Sequence, residues 1–222
     1  MRILLISFLF LSNFAVNFYL FLFTYEKDCE QEQFFNTYHL SDDEIAQIHD
    51  GDILLRHGFG FVSDIIVKTL GDEFDVSHCA FVRKEGKGFK VIHSVSRSLS
   101  DVDGVQQQKL KDFVRESHPN SLILIRFQTE DSTLAGRMSN RAQYYLDQRI
   151  PFDNSFDIDE NTSFYCTELL WKVILDETGV DILKAKNNER KDHLKFDIFW
   201  DPEHFDVIIN HHLRKRKHQT TS

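Results

Sequence analysis

The chain has 222 residues, 41% of them hydrophobic and 27% charged, enough to bury one core of its own. Its formal net charge of -9 argues against nucleic acid as a partner, because that surface selects basic chains. With 21 Phe and only 3 Pro it is not a disordered chain either.

The first feature in chain order is an uncharged run from Ile3 to Phe23, long enough to cross a bilayer as a helix. Arg2 precedes it, and Glu26, Asp28 and Glu30 follow, so the positive end should stay in the cytosol. The end of the run, "YLFLFTYEK", has no small residues of the kind a signal peptidase needs. An uncleaved anchor is therefore expected rather than a cleaved signal. On this reading residues 1-24 are a membrane anchor, with the membrane contacted through 3-23. The rest lies outside the cytoplasm, in the cell envelope, and would be secreted if the segment were cleaved. Residues 25-40 are a polar linker, 41-213 the folded domain and 214-222 a basic tail.

The domain opens at Ser41, with Glu44 three residues on, a capping-box pattern for a short helix ending at Gly51. "DILLRHG" is a short apolar run and reads as a strand. "FGFVSDIIVKTLG" carries Val62, Ile65, Ile66 and Leu70 at helical spacing and stops at Gly71. "VSHCAFVRK" alternates as a strand, and "KGFKVIHSVS" is its partner across the turn "KEGKG". "LILIRF" is a third buried strand and "STLAGRMSNRAQYYLDQRI" a helix. The loop "PFDNSFDIDENTS" then delivers the chain to "FYCTELLWKVILDETG", an amphipathic helix with Cys166 in its first turn. "HFDVIINHHL" reads as a last strand. Strands gather in the middle with helices on either side, an α+β layout around a small antiparallel sheet.

A helix N-terminus lowers a thiol pKa, because its free N–H groups favour negative charge. The same groups can hold an oxyanion. Cys166 has that position, though a small buried hydrophobe would fit there equally well. A cysteine nucleophile also needs a base. His78 in "VSHCAFV" faces away from Ser77 and Cys79, towards the side of Val76 and Ala80. That suits a structural histidine at a core edge as well as a base. His93 in "KVIHSVS" lies near His78 across the hairpin and can orient its ring. His57, beside "GFG", is a loop residue near this region. His211 and His212, next to the basic tail, read as solvated. The cysteines are 29, 79 and 166, an odd number that leaves at least one unpaired. No His or Cys spacing matches a zinc pattern, so neither a metal nor another cofactor is expected.

Four motifs in order carry a resemblance: "GDILLRHG", "VSHCAFV" with "VIHSV", the "PFD" loop and "YCTELL". Together they resemble the permuted papain-like amidases of the YaeF/YiiX type, relatives of the NlpC-type cell-wall peptidases. The resemblance covers about residues 48-175. It implies a circularly permuted papain-like (NlpC-type) fold, with a small antiparallel sheet packed against helices that include the nucleophile helix. In that group the catalytic His precedes the Cys, as His78 precedes Cys166. The resemblance implies Cys166 as nucleophile, His78 as general base and His93 in the third position, where much of the family holds Glu. A neutral His orients the base by a hydrogen bond but lends it no charge. Tyr165 either lines the oxyanion site or packs as an aromatic, and Glu168 makes a structural hydrogen bond.

The activity implied is that of a cysteine amidase or peptidase. It would transfer the acyl group of an amide or ester in a small molecule or peptide, with cell-wall peptides suggested by location. Two rivals stand beside it. One is a lipid-directed acyltransferase or thioesterase of the lecithin:retinol acyltransferase-like kind, suited by the Phe-rich chain. The other is a non-catalytic binding module, kept open by His93.

Overall fold

A computed structural model describes residues 2–183 and 195–212. Six strands form one antiparallel sheet: β1 (Ile53–Arg56), β2 (His78–Glu85), β3 (Gly88–Val95), β4 (Gly104–Lys109), β5 (Ile123–Phe127) and β6 (Phe205–Asn210). Their order across the sheet is β4-β3-β2-β1-β5-β6. The helices are α1 (Arg2–Phe35), α2 (Asp42–Ile45), α3 (Phe61–Leu70), α4 (Leu110–Arg115), α5 (Leu134–Asp147) and α6 (Cys166–Thr178), with a 3-10 turn at Asp197–Trp200.

Alternation along the strands decides which side chains meet which helices. Ile53, Leu55, Cys79, Phe81, Ile92, Ile123 and Ile125 point to one face, which α5 and α6 cover. α6 presents Leu169, Leu170, Val173 and Ile174 to that face, all fully buried. Each such side chain contributes roughly 1.5–3 kcal/mol by leaving water. The helix stops at Gly179, whose φ of 72° gives the left-handed cap that glycine accepts without strain. On the other face Leu54, Ala80, Val82, Val91 and Leu124 pack with Phe113 and Val114 of α4.

β4 and α4 escape a reading of the sequence for physical reasons. "GVQQQK" is an edge strand with Val105 its one core apolar residue, so it shows no hydrophobic alternation. α4 has 6 residues, too few to display a period. The helix expected up to Gly51 is shorter, ending at Ile45. The "GD" of the first motif proves architectural. Asp52 is buried, receives Arg126 of β5 through two bonds of 2.7 and 2.9 Å, and accepts the His49 N–H at 2.7 Å.

Two expectations are corrected. The polar linker over 25-40 is helical as far as Phe35, continuous with the apolar run before it. This part of α1 docks on α3. The rings of Phe21 and Tyr25 meet Phe61 edge-on, and Glu26 accepts the Phe61 N–H at 3.0 Å. Among the described residues no helix is long and apolar enough to cross a membrane. His211 is buried rather than solvated: its Nε2 lies 2.9 Å from Glu44 and its Nδ1 meets the Tyr38 hydroxyl. His212 reaches the Ser121 carbonyl at 3.0 Å. The basic tail, 214-222, lies outside the described residues.

The loop before α6 is pinned by Gly104. Its φ is 79°, and a Cβ there would stand 2.1 Å from the Ile150 carbonyl oxygen. The next residue, Val105, donates its N–H to that same oxygen at 2.8 Å. Gly104→Ala is expected to cost at least about 2 kcal/mol through left-handed strain and collision. A thermal melt should then fall by roughly 4–8 °C. An unchanged melt would show that the close approach is not there.

Candidate active site

The site begins where two strands part. β2 and β3 pair from Phe81↔Ile92 to Glu85↔Gly88. Ahead of Phe81, β2 pairs with β1, through Arg56↔His78 and Leu55↔Cys79. Beyond Ile92, β3 pairs with β4. A fork thus opens between residues 78–80 and 93–95. The chain entering α6 fills it. Ser94 donates its hydroxyl to the Phe164 carbonyl on one prong, and the Cys79 N–H donates to Cys166 Sγ on the other.

Cys166 is the first residue of α6 and is partly exposed. Its sulfur receives the Cys79 thiol and the N–H groups of Thr167, Cys166 and Cys79. The Cys79 thiol has the largest effect, and together these donors outweigh burial and lower the Cys166 pKa from its ordinary value. Cys79 moves the other way. Burial, then the neighbouring Cys166, raises its thiol well above the usual range. The pair therefore divides its roles: Cys166 is the more acidic of the two thiols, and Cys79 holds its proton more tightly. All three cysteines are free thiols.

Alternation along β2 placed Cys79 opposite His78, and that holds, but its partnership with Cys166 was invisible because it depends on how α6 lies on the sheet. Cys79→Ala should remove the leading donor and raise the Cys166 pKa. Alkylation of Cys166 at pH 7, followed by mass spectrometry, should slow several-fold and its pH profile move to higher pH. An unmoved profile would mean that the Cys79 thiol does nothing for the sulfur.

His78 and His93 occupy the two prongs. The register Phe81↔Ile92 makes them diagonal neighbours on one face, and His78 Nε2 lies 2.7 Å from His93 Nδ1. Phe113 packs beneath both rings, with centroids 5.9 and 5.7 Å away. The Arg56 guanidinium stacks on Phe113 at 3.9 Å and donates to its carbonyl at 2.7 Å. Burial, then the charges of His93 and Arg56, push His78 well below the ordinary imidazole range. Burial and Arg56 take His93 down to about 3. Both rings are neutral at neutral pH. If His78 is to accept a proton at Nδ1, its own proton sits on Nε2 and is donated to His93 Nδ1. His93 then carries its proton on Nε2, a buried atom with no partner among the described residues. Among the described residues His78 makes no hydrogen bond to Cys166. What joins them is the His78–Cys79 peptide, whose N–H is on the sulfur. Val76, expected on the side of His78, belongs to the opposite cluster because it precedes the regular strand.

Tyr165 is the buried N-cap of α6, with its ring 5.4 Å from Phe156. Burial first, then Glu168, raises its hydroxyl pKa, so it stays neutral. Its N–H donates to Glu168 at 3.2 Å, the structural bond expected of that glutamate. Burial pushes Glu168 up to about 8, helped by the charges of Asp153 and Glu160. Asp153, of the "PFD" motif, is buried and accepts the N–H groups of Ser155 and Asp157, each at 2.7 Å. It shapes the loop that aims the chain at the fork.

A sheet carrying His78 and His93, with a later helix setting Cys166 against its fork, is a permuted papain-like α+β fold. One solved structure to which it is similar in fold is described as the metalloprotein YiiX from Escherichia coli O157:H7. The two share 20% identity with a TM-score of 0.57, over 74% of this chain and 98% of that one. No protein-family model matches the chain, and no curated protein matches it.

Proposed function

We propose that the chain is a cysteine-dependent hydrolase, an amidase or peptidase that transfers an acyl group to Cys166. The observation that carries this is the sulfur itself, held by four donors at a helix N-terminus with its pKa lowered. Those donors do the work that a cationic imidazole does in a thiolate–imidazolium pair. That matters here, because His78 and His93 are weak bases.

In the proposed reaction Cys166 sulfur attacks the carbonyl carbon, and its proton goes to His78 Nδ1. The Cys166 N–H lies beside the oxyanion that forms. The amine or alcohol leaves with the proton from His78, giving a thioester. Water then loses a proton to His78, attacks the thioester and releases the acid, and the proton returns to the sulfur. His93 orients His78 through the 2.7 Å bond and is a positioning residue. Tyr165 forms a wall behind the nucleophile.

The substrate we propose is a peptide or small molecule with an amide or ester bond, met in the cell envelope as a cell-wall peptide. Attachment through residues 3-23 belongs to the same reading. It is supported by the exposed Phe14, Phe18, Leu20 and Phe23 along α1. The low basicity of the histidine pair favours one second reading, a binding module whose thiol is idle.

The test is acyl trapping. The full chain, mixed with p-nitrophenyl acetate or with peptidoglycan stem peptides and quenched in acid, should show an acyl adduct on Cys166. No adduct and no turnover on either substrate would leave the binding module.

A further inference from the structure

A second cluster of ligating side chains lies outside the fork. β1 ends at Arg56, and His57 is the next residue. α3 supplies Asp64 from its first turn, and His118 follows α4. His57 Nε2 lies 2.8 Å from Asp64 Oδ1. A ligating atom from each of His57, Asp64 and His118 lies within 4.8 Å of the other two, and all three residues are half-buried.

The backbone holds these groups in place. The His118 N–H donates to the His57 carbonyl at 2.8 Å. The buried Ser121 hydroxyl accepts the His57 N–H at 3.2 Å and donates to the His118 carbonyl at 2.7 Å. Gly58, next in line, donates its N–H to Ser77 at 3.0 Å. The Tyr25 hydroxyl of α1 bonds the second carboxylate oxygen of Asp64. An ion pair between His57 and Asp64 would need two residues. Here a second imidazole, 4.4 Å away centroid to centroid, is brought to the same point.

We propose that His57, Asp64 and His118 form a binding site for one divalent first-row transition ion, with zinc the best fit. Two imidazole nitrogens and one carboxylate oxygen suit zinc, whereas calcium and magnesium take oxygen sets. Tetrahedral ligands at about 2.0–2.1 Å stand roughly 3.3 Å apart, so small ring rotations close the set. Binding displaces the proton shared by His57 and Asp64, and water completes the coordination. Tyr25 fixes the orientation of Asp64, as hydrogen-bond partners of metal ligands do. The ion would clasp α1, α3 and the two histidine loops together. None of these residues belongs to the fork, so the site stands or falls independently of the hydrolase reading.

The full chain, stripped with chelator, is titrated with Zn²⁺ and separately with Co²⁺. One ion per chain should remain after gel filtration, and the melt should rise by roughly 5–10 °C near 100-fold over Kd. His118→Ala and Asp64→Asn should each weaken binding at least about tenfold, and Cys166→Ala should leave it unchanged. The cobalt form should show d–d bands with no thiolate-to-cobalt charge transfer. Absence of binding, binding that survives both ligand variants, or a thiolate charge-transfer band would overturn the site. Should His118→Ala fail to fold, Asp64→Asn and the wild-type cobalt spectrum decide.

Discussion

Cys166→Ser is expected to lose acyl transfer by at least about 10³-fold while keeping the fold. The four donors that hold the sulfur remain in place, but a serine hydroxyl is far too weak an acid for them to ionise it. Hydroxyl and thiol differ little in size, so α6 should stay on the sheet and the melt should move little. The measurement is turnover of p-nitrophenyl acetate together with the mass of the quenched protein. Wild type should show the adduct on Cys166 and the variant none. Turnover retained in the variant would remove Cys166 from the mechanism and leave its lowered pKa without a use. Cys29 and Cys79 are internal controls, since burial raises the pKa of both thiols.

His78→Ala is the second large effect, with kcat/KM falling by about 10²–10⁴ through loss of general acid–base transfer. His93 acts through His78, so its removal should cost less and show itself in the pH profile. Both imidazoles titrate below the ordinary 6.5, so the neutral, proton-accepting form persists into acid. The acid limb of kcat/KM should therefore lie below pH 6.5. His93→Glu should stabilise a cationic His78 and move that limb to higher pH. A merely structural His93 would leave the limb where it is.

The same shifts set acid stability. His93 has a folded pKa depressed to about 3 from 6.5. Above pH 6.5 the ring is neutral in both states and the full stability is present. As pH falls from 6.5 towards 3, the unfolded chain takes up a proton that the folded chain refuses. Stability then drops by about 1.4 kcal/mol per pH unit for this residue. Urea melts at pH 7, 5 and 4 should show a steeper loss for wild type than for His93→Gln. Parallel losses would mean that His93 is not held neutral by the fold.

Much of this was legible in the residues. The hairpin length between "VSHCAFV" and "KVIHSVS" brought His78 and His93 near each other, and the register Phe81↔Ile92 then put them on one face. Helical spacing in "CTELLWKVILDETG", with Gly179 behind it, marked α6 and set Cys166 at its start. Period-2 and period-3.6 patterns are local, and a core that covers one face writes them directly into the chain. The edge strand β4, the short α4 and the buried His211 carried no such pattern. One packs little, one spans too few turns, and one is buried by a partner more than 160 residues away in the chain, Glu44.

The sequence by itself determined the type of each strongly patterned element, the order of His before Cys and the alternation of faces along the regular strands β2 and β3. Tertiary structure alone decided that β2 and β3 part beyond Phe81↔Ile92, and that the sulfur of Cys166 enters the gap to meet the Cys79 thiol and N–H. It alone also gathered His57, Asp64 and His118 from three separate elements. These contacts depend on where a helix end or a loop arrives in space. Such positions follow from the packing of the whole core, which no periodicity within one segment encodes.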